Sequence, residues 1–270
     1  VDFFKGDIIA GIGRKTDITD YFQVKQLIKK ENPDIVIHTA ALTNVDACEK
    51  EIDEAYKVNV LGTQNLVNGC LDRNILFIYI SSTGIYGESK EGTYTEFDEV
   101  NPTTIHHKTK FEGEKVVQNH LNKYLILRTG WLYGGDKQQK KNFVYKRYLE
   151  SLQNKIMQSD NYQIGNPTSV LDFCKQIKVL IDKNQYGTFN CINRAENVSR
   201  FDYVSQIIKE FGTDCQVKIA PSNSYSRIAK VSKNESARNY KLDLLGINIM
   251  RDWKTALKEY VQKLKNEDIR

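Results

Sequence analysis

The sequence lacks any apolar run near the ~20 residues that cross a bilayer. Its longest, Ile75 to Ile80, has the length of a buried strand. There is no Cys-x-x-Cys pair, no His-Glu-x-x-His, and no zinc spacing among the four histidines, so no metal site is expected. The five cysteines, Cys48, Cys70, Cys174, Cys191 and Cys215, are odd in number and widely spaced. That pattern suits free thiols in a reducing cytoplasm rather than a disulfide framework. No secretory leader is visible, and a cytoplasmic protein is expected. No arginine-rich arm or aromatic-basic RNA motif accompanies the net charge of +5. Nucleic acid and membrane are therefore not the expected partners, and the scattered basic excess suits an anionic small molecule. Internal repeats and low-complexity tracts are absent.

What is present is 270 residues, 40% hydrophobic and 27% charged, enough for one core with a smaller satellite lobe. Short apolar runs at 7–12, 34–38, 76–81 and 123–128 read as strands. Helical patterns lie between them at 20–30, 52–72 and 108–120, the first opened by Asp20 and Gln23 in capping-box spacing. Unbroken apolar strands alternating with helices predict a parallel sheet covered on both faces. Beyond Gly135 the pattern loosens. Helices are expected at 142–154, through Ile181, from the Ser199/Asp202 capping box to Gly212, and at 250–264, with a strand at 187–192 and a loop at 222–230. Open α/β sheets bind ligands at the carboxyl ends of their strands, which places the residues after His38, Ser81 and Arg128 around one crevice.

Three segments then stand out: 33–46, which ends His38-Thr39-Ala40-Ala41-Leu42-Thr43-Asn44-Val45-Asp46; Ser81-Ser82-Thr83-Gly84-Ile85-Tyr86-Gly87; and Lys110-Phe111-Glu112-Gly113-Glu114. With Arg128-Thr129-Gly130-Trp131-Leu132-Tyr133-Gly134, Asn142-Phe143-Val144 and Gly165-Asn166-Pro167-Thr168, they resemble the extended short-chain dehydrogenases acting on nucleotide sugars. The likeness is nearest to the dTDP-4-dehydrorhamnose reductase group and runs over nearly the whole chain. It implies a doubly wound Rossmann-type α/β sheet with a smaller C-terminal substrate lobe. Residues 1–145 would bind NADP, with 163–191 returning to that domain, and 146–270 would mainly bind the sugar nucleotide. The implied reaction is NADP-dependent reduction of a 4-keto nucleotide sugar, in deoxysugar or surface polysaccharide supply. Oligomeric state is left open, a homodimer included.

The same resemblance assigns residues. Arg14 and Lys15 would read the ribose 2′-phosphate, favouring NADP over NAD, with Asp17 near the adenine. Ala40, Ala41 and Thr43 would pass under the cofactor, and Asn59 would support the site from behind. Thr83, Tyr86, Trp131 and Arg227 fall at substrate positions, Arg227 as a phosphate contact.

Two departures accompany these matches. The family opens with a strand and a glycine-rich turn; nothing before Asp7 supplies them, and Gly11-Ile12-Gly13 lacks the third glycine. Residues 7–13 are therefore read as the family's second strand, with the first strand and helix missing from the given stretch. The family's active site is Ser or Thr with Tyr-x-x-x-Lys, in which Tyr exchanges a proton and Lys holds the ribose. Here Ser82 and Lys110 match, but His106 replaces the tyrosine. Three readings stay open: His106 is the acid; Tyr86, His107 or water substitutes; or the site binds without redox chemistry. The last would resemble the regulatory beta subunit of methionine adenosyltransferase. An epimerase or dehydratase, which regenerates its cofactor within one cycle, is a further enzymatic option.

Overall fold

The computed structural model describes residues 16–88, 90–221 and 227–267. The strand expected at 7–12, the turn at 11–13, Arg14 and Lys15 lie outside the described residues.

Helix α1 (Tyr21–Glu31) starts where the Asp20 carboxylate accepts the Phe22 and Gln23 amides, and stops at left-handed Asn32. Strand β1 (Ile35–His38) leads to α2 (Val45–Lys50), α3 (Ile52–Tyr56), a π-helical turn at Lys57–Leu61, and α4 (Gly62–Cys70). The single helix expected over 52–72 thus contains a wider turn, and Asn59 sits in it. Next come β2 (Leu76–Ser82), a 3-10 turn at Thr83–Tyr86, α5 (Ile105–His120), β3 (Tyr124–Thr129) and β4 (Leu132–Tyr133). They are followed by α6 (Phe143–Gln153), β5 (Ile156–Ser159), β6 (Ile164–Gly165), β7 (Thr168–Ser169), α7 (Val170–Asp182) and β8 (Gly187–Asn190). The chain continues through β9 (Val198–Ser199), α8 (Arg200–Phe211), β10 (Gln216–Ile219), α9 (Tyr240–Leu244) and α10 (Trp253–Asn266).

The main sheet is parallel throughout, in the order β1-β2-β3-β8. Side chains alternate across it. Leu76 and Ile78 join Leu125, Leu127, Phe173, Ile177 and Leu180 on one face. Phe77 and Tyr79 join Val24, Ile28, Val67, Val117 and Ile126 on the other. Both faces are covered, which is why the β2 sequence is apolar without a polar alternate. A separate cluster of Val144, Met157, Tyr203, Val204, Ile207, Trp253 and Leu257 knits α6, α8 and α10 around the small parallel pair β5 and β10. Helix α9 and Met250 fold back against the main sheet. Among the described residues no helix is long and apolar enough to cross a membrane.

Candidate active site

The carboxyl end of β1 runs into a stretch of small residues. Ala40 and Thr43 are exposed there and Ala41 is half-buried. Leu42 is pinned at both backbone atoms by Asn59, whose Oδ1 accepts the Leu42 amide at 2.7 Å while its Nδ2 donates to the Leu42 carbonyl at 3.2 Å and to Thr109 Oγ1 at 2.9 Å. Asn59 is almost fully buried, so it shapes the loop from behind rather than facing a ligand. Asp17 is exposed, and its carboxylate accepts from the amide and hydroxyl of Thr19.

Helix α5 supplies the chemistry. Thr104 caps it by accepting the His107 amide, and Glu49 accepts the Ile105 amide. His106, Lys110 and Glu114, spaced by four, share the inward face. His106 Nδ1 lies 3.0 Å from the Leu42 carbonyl. A carbonyl oxygen only accepts, so Nδ1 carries the proton and the neutral ring leaves Nε2 as an acceptor. Burial, then His107 and Lys110, lower the His106 pKa to about 4. Lys110 is buried, with its Nζ seated 3.9 Å from the centroid of the Tyr79 ring. Burial pulls its pKa down to about 7 against the opposing pull of Glu114. Nζ has no hydrogen-bond acceptor among the described residues, yet it is not sealed from solvent. Ser82 ends β2 half-buried; its Oγ accepts the Gly84 amide at 3.2 Å, leaving the hydroxyl proton to be donated outward.

Other expected residues are placed differently. Tyr86 has no exposed surface: its hydroxyl donates to Asn190 Oδ1 and accepts from Arg128 Nη1, and its ring stacks on Tyr94 at 4.8 Å. The side chain expected at the substrate is thus packed inside, with its hydroxyl engaged by Asn190 and Arg128. Thr83 is likewise buried, its hydroxyl unpartnered against Gly130. His107 is buried with its ring against the Gly84 α-carbon, and burial lowers its pKa to about 4. Trp131, at φ 39°, is held by donating Nε1 to Glu235 at 3.0 Å and by the Arg200 guanidinium 3.5 Å from its ring. Arg227 is exposed, and its charge reaches both Arg200 and Glu235.

Sequence reasoning missed Arg200 and Glu235. The first reads as the opening residue of a capped helix and the second falls in no motif, and only the fold brings them to Trp131. The fold also ties the later half of the chain to the segment after β1. The Ala229 amide donates to Asp46 Oδ1 at 3.0 Å, and Lys141 Nζ donates to Thr43 Oγ1 at 3.3 Å. The Gly165-Asn166-Pro167-Thr168 motif proves to be a staple. Asn166 Nδ2 is shared among the Asn193, Ala195 and Ala237 carbonyls while its Oδ1 accepts the Ala237 amide.

The sequence profile of the RmlD substrate binding domain matches residues 5–266. A dTDP-4-dehydrorhamnose reductase from Clostridium acetobutylicum is 36% identical, with a TM-score of 0.89 over 96% of this chain and 90% of that one. The Bacillus anthracis enzyme of that name, solved in complex with NADP, is 30% identical, with a TM-score of 0.87 over 92% and 87% of the two chains. The spore coat polysaccharide biosynthesis protein SpsK of Bacillus subtilis is 27% identical over 95% of this chain and 89% of its own length. Methionine adenosyltransferase 2 subunit beta of Mus musculus is 28% identical over 91% and 75%.

Proposed function

The chain belongs to the RmlD substrate binding domain family, and on that premise we propose that it reduces a 4-keto nucleotide sugar with NADP in the cytoplasm, supplying deoxysugar or surface polysaccharide synthesis. The observation that carries this reading is Lys110: a buried amine on the inward face of α5, with no hydrogen-bond acceptor among the described residues and not sealed from solvent. A buried ammonium without a hydrogen-bond partner is costly, and a ribose hydroxyl would relieve it.

The residues present fit a dinucleotide. Ala40, Ala41 and Thr43 form a floor of small side chains, Asp17 lies near the adenosine end, and Arg14 and Lys15 are assigned to the 2′-phosphate. Residues 1–145, with 163–191, would hold the cofactor, and the remainder of 146–270 the sugar nucleotide. Trp131, Arg200 and Arg227 line its side of the crevice, Arg227 toward phosphate. Reduced NADP held there would supply a hydride to the keto carbon. Ser82 would donate a hydrogen bond from its hydroxyl to the carbonyl oxygen and so orient and polarise it. Lys110 holds the ribose.

The test is single-turnover absorbance at the nicotinamide band, with NADPH and a panel of thymidine- and uridine-diphosphate 4-keto-6-deoxy sugars. Loss of the reduced band in step with sugar reduction supports the reading. A non-catalytic partner subunit is the second reading. It is favoured by the histidine at the tyrosine position and by the 28% identity to methionine adenosyltransferase 2 subunit beta. Bound dinucleotide with no absorbance change for any sugar supports that alternative.

A further inference from the structure

We propose that Lys110, rather than His106, carries the proton delivered to the keto oxygen, and that His106 serves as a neutral acceptor toward the substrate. The inference rests on the reductase reading above.

Its foundation is geometric. The Leu42 carbonyl is a fixed acceptor, held by Asn59 through both Leu42 backbone atoms. It orients His106 with Nδ1–H inward, so Nε2 presents a lone pair. A ring held this way has no proton to give from Nε2 unless it becomes an imidazolium beside Lys110. Nε2 finds no partner among the described residues and is not sealed from solvent. It is therefore placed to accept a hydroxyl of the sugar. Lys110 stands one helical turn on, with three N–H bonds and no acceptor among the described residues. The neighbouring groups explain how its ammonium becomes a usable acid. Glu114, the next turn of α5, holds the charge on Lys110, but that carboxylate is spent on Arg128 of β3 through a bridge of 2.7 Å. Tyr79 of β2 offers a ring face and donates its hydroxyl to the Lys110 carbonyl. His38 of β1 and His107 are buried and neutral, and Glu49 caps the far start of α5. Glu235, across the crevice, reaches His106. Burial outweighs these aids, so the ammonium gives up its proton near neutrality.

The step balances. As the keto carbon accepts a hydride from the reduced nicotinamide dinucleotide, the carbonyl π pair becomes a lone pair on oxygen. That oxygen takes a proton from Lys110 Nζ; the N–H bond breaks and an O–H bond forms. Lys110 is left as a neutral amine and regains a proton from water.

The test has two readouts on the full chain. In the unliganded protein, lysines labelled with ¹³C at the ε-carbon are titrated by NMR, and ¹⁵N shifts report the His106 tautomer. One lysine should titrate near 7, vanish in Lys110→Met, and coexist with a His106 protonated at Nδ1 alone. Titration near the ordinary lysine value, or a proton at Nε2, overturns the proposal. Second, reduction rates are measured at saturating NADPH. The wild-type rate should fall about tenfold per pH unit above the Lys110 pKa, and His106→Gln should keep that limb whatever its effect on the rate. Lys110→Ala should lose about 10²–10⁴-fold. Added primary ammonium ions should restore its rate in proportion to their acidity, a dependence that a cation needed only for orientation would not show. A limb that shifts with His106→Gln, or rescue indifferent to amine pKa, overturns the transfer while leaving the reductase reading intact. No reduction of any sugar with NADPH bound overturns both, even if Lys110 titrates as expected.

Discussion

Asn59 is the residue on which the site's geometry turns. One amide side chain satisfies both backbone groups of Leu42 and reaches Thr109 of α5, so the loop after β1 and the helix bearing Lys110 are set against each other by three hydrogen bonds. Leu42's carbonyl then fixes His106. Replacing Asn59 with leucine, similar in volume, keeps the packing but leaves the Leu42 amide without its acceptor. We expect a loss on the order of 2–4 kcal/mol in urea unfolding, with faster amide exchange at Leu42. Unchanged exchange there would show that the loop is held by other means. The sequence places Asn59 near the cofactor by resemblance, yet the residue sits between Val58 and Val60 in what reads as an ordinary helix. The resemblance gives it a supporting role behind the site, but the π turn at 57–61 has no signature in the apolar spacing, so its grip on Leu42 was not legible.

At the scale of an element, α5 shows why a functional helix reads weakly. Its inward face carries His106, Lys110 and Glu114, charged or polar residues that a search for apolar periodicity assigns to solvent, and the pattern accordingly suggests a start at 108 rather than Ile105. Only the Lys-Phe-Glu-Gly-Glu segment betrays it. The Glu114 carboxylate faces the Arg128 guanidinium through bonds of 3.1 Å and 2.7 Å, and Arg128 also donates to Tyr86. Both charges are buried, so removing one strands the other. Glu114→Gln should cost about 3–5 kcal/mol in urea unfolding, and Glu114→Leu combined with Arg128→Met less than either alone. Because Glu114 props up the Lys110 pKa, Glu114→Gln should also shift the Lys110 titration downward; an upward shift would contradict the proposed electrostatics. The long strands and capped helices were readable because each shows its period over several residues. Strands β5 and β10 were not: at four residues each, β10 buries none of its side chains and β5 only alternate ones.

At the scale of the whole molecule, the polar groups drawn inside make stability depend on pH. His38, His106 and His107 are all buried, with pKa values lowered by burial to about 3, 4 and 4. In the unfolded chain each takes a proton near 6.5. Between roughly pH 6.5 and 4 the unfolded state therefore binds more protons than the native state, and stability falls as pH falls. Each histidine contributes at most about 3 kcal/mol of that loss, so together they can consume much of the 5–15 kcal/mol typical of a folded domain. Lys110 acts in the same direction over a higher window. Its folded pKa is about 7 against about 10.5 for an ordinary lysine, so stability rises between those values as pH rises. Urea midpoints recorded from pH 4 to 10 should climb steeply to about 6.5 and more gently beyond 7. Lys110→Met should unfold at higher urea than wild type below pH 7, with the gap closing toward pH 10. His107→Gln should flatten the acid limb while leaving the alkaline one in place. A midpoint independent of pH across 4–6.5 would mean that the histidines are charged or hydrated in the native protein. The acceptor role assigned to His106 would then fail with them.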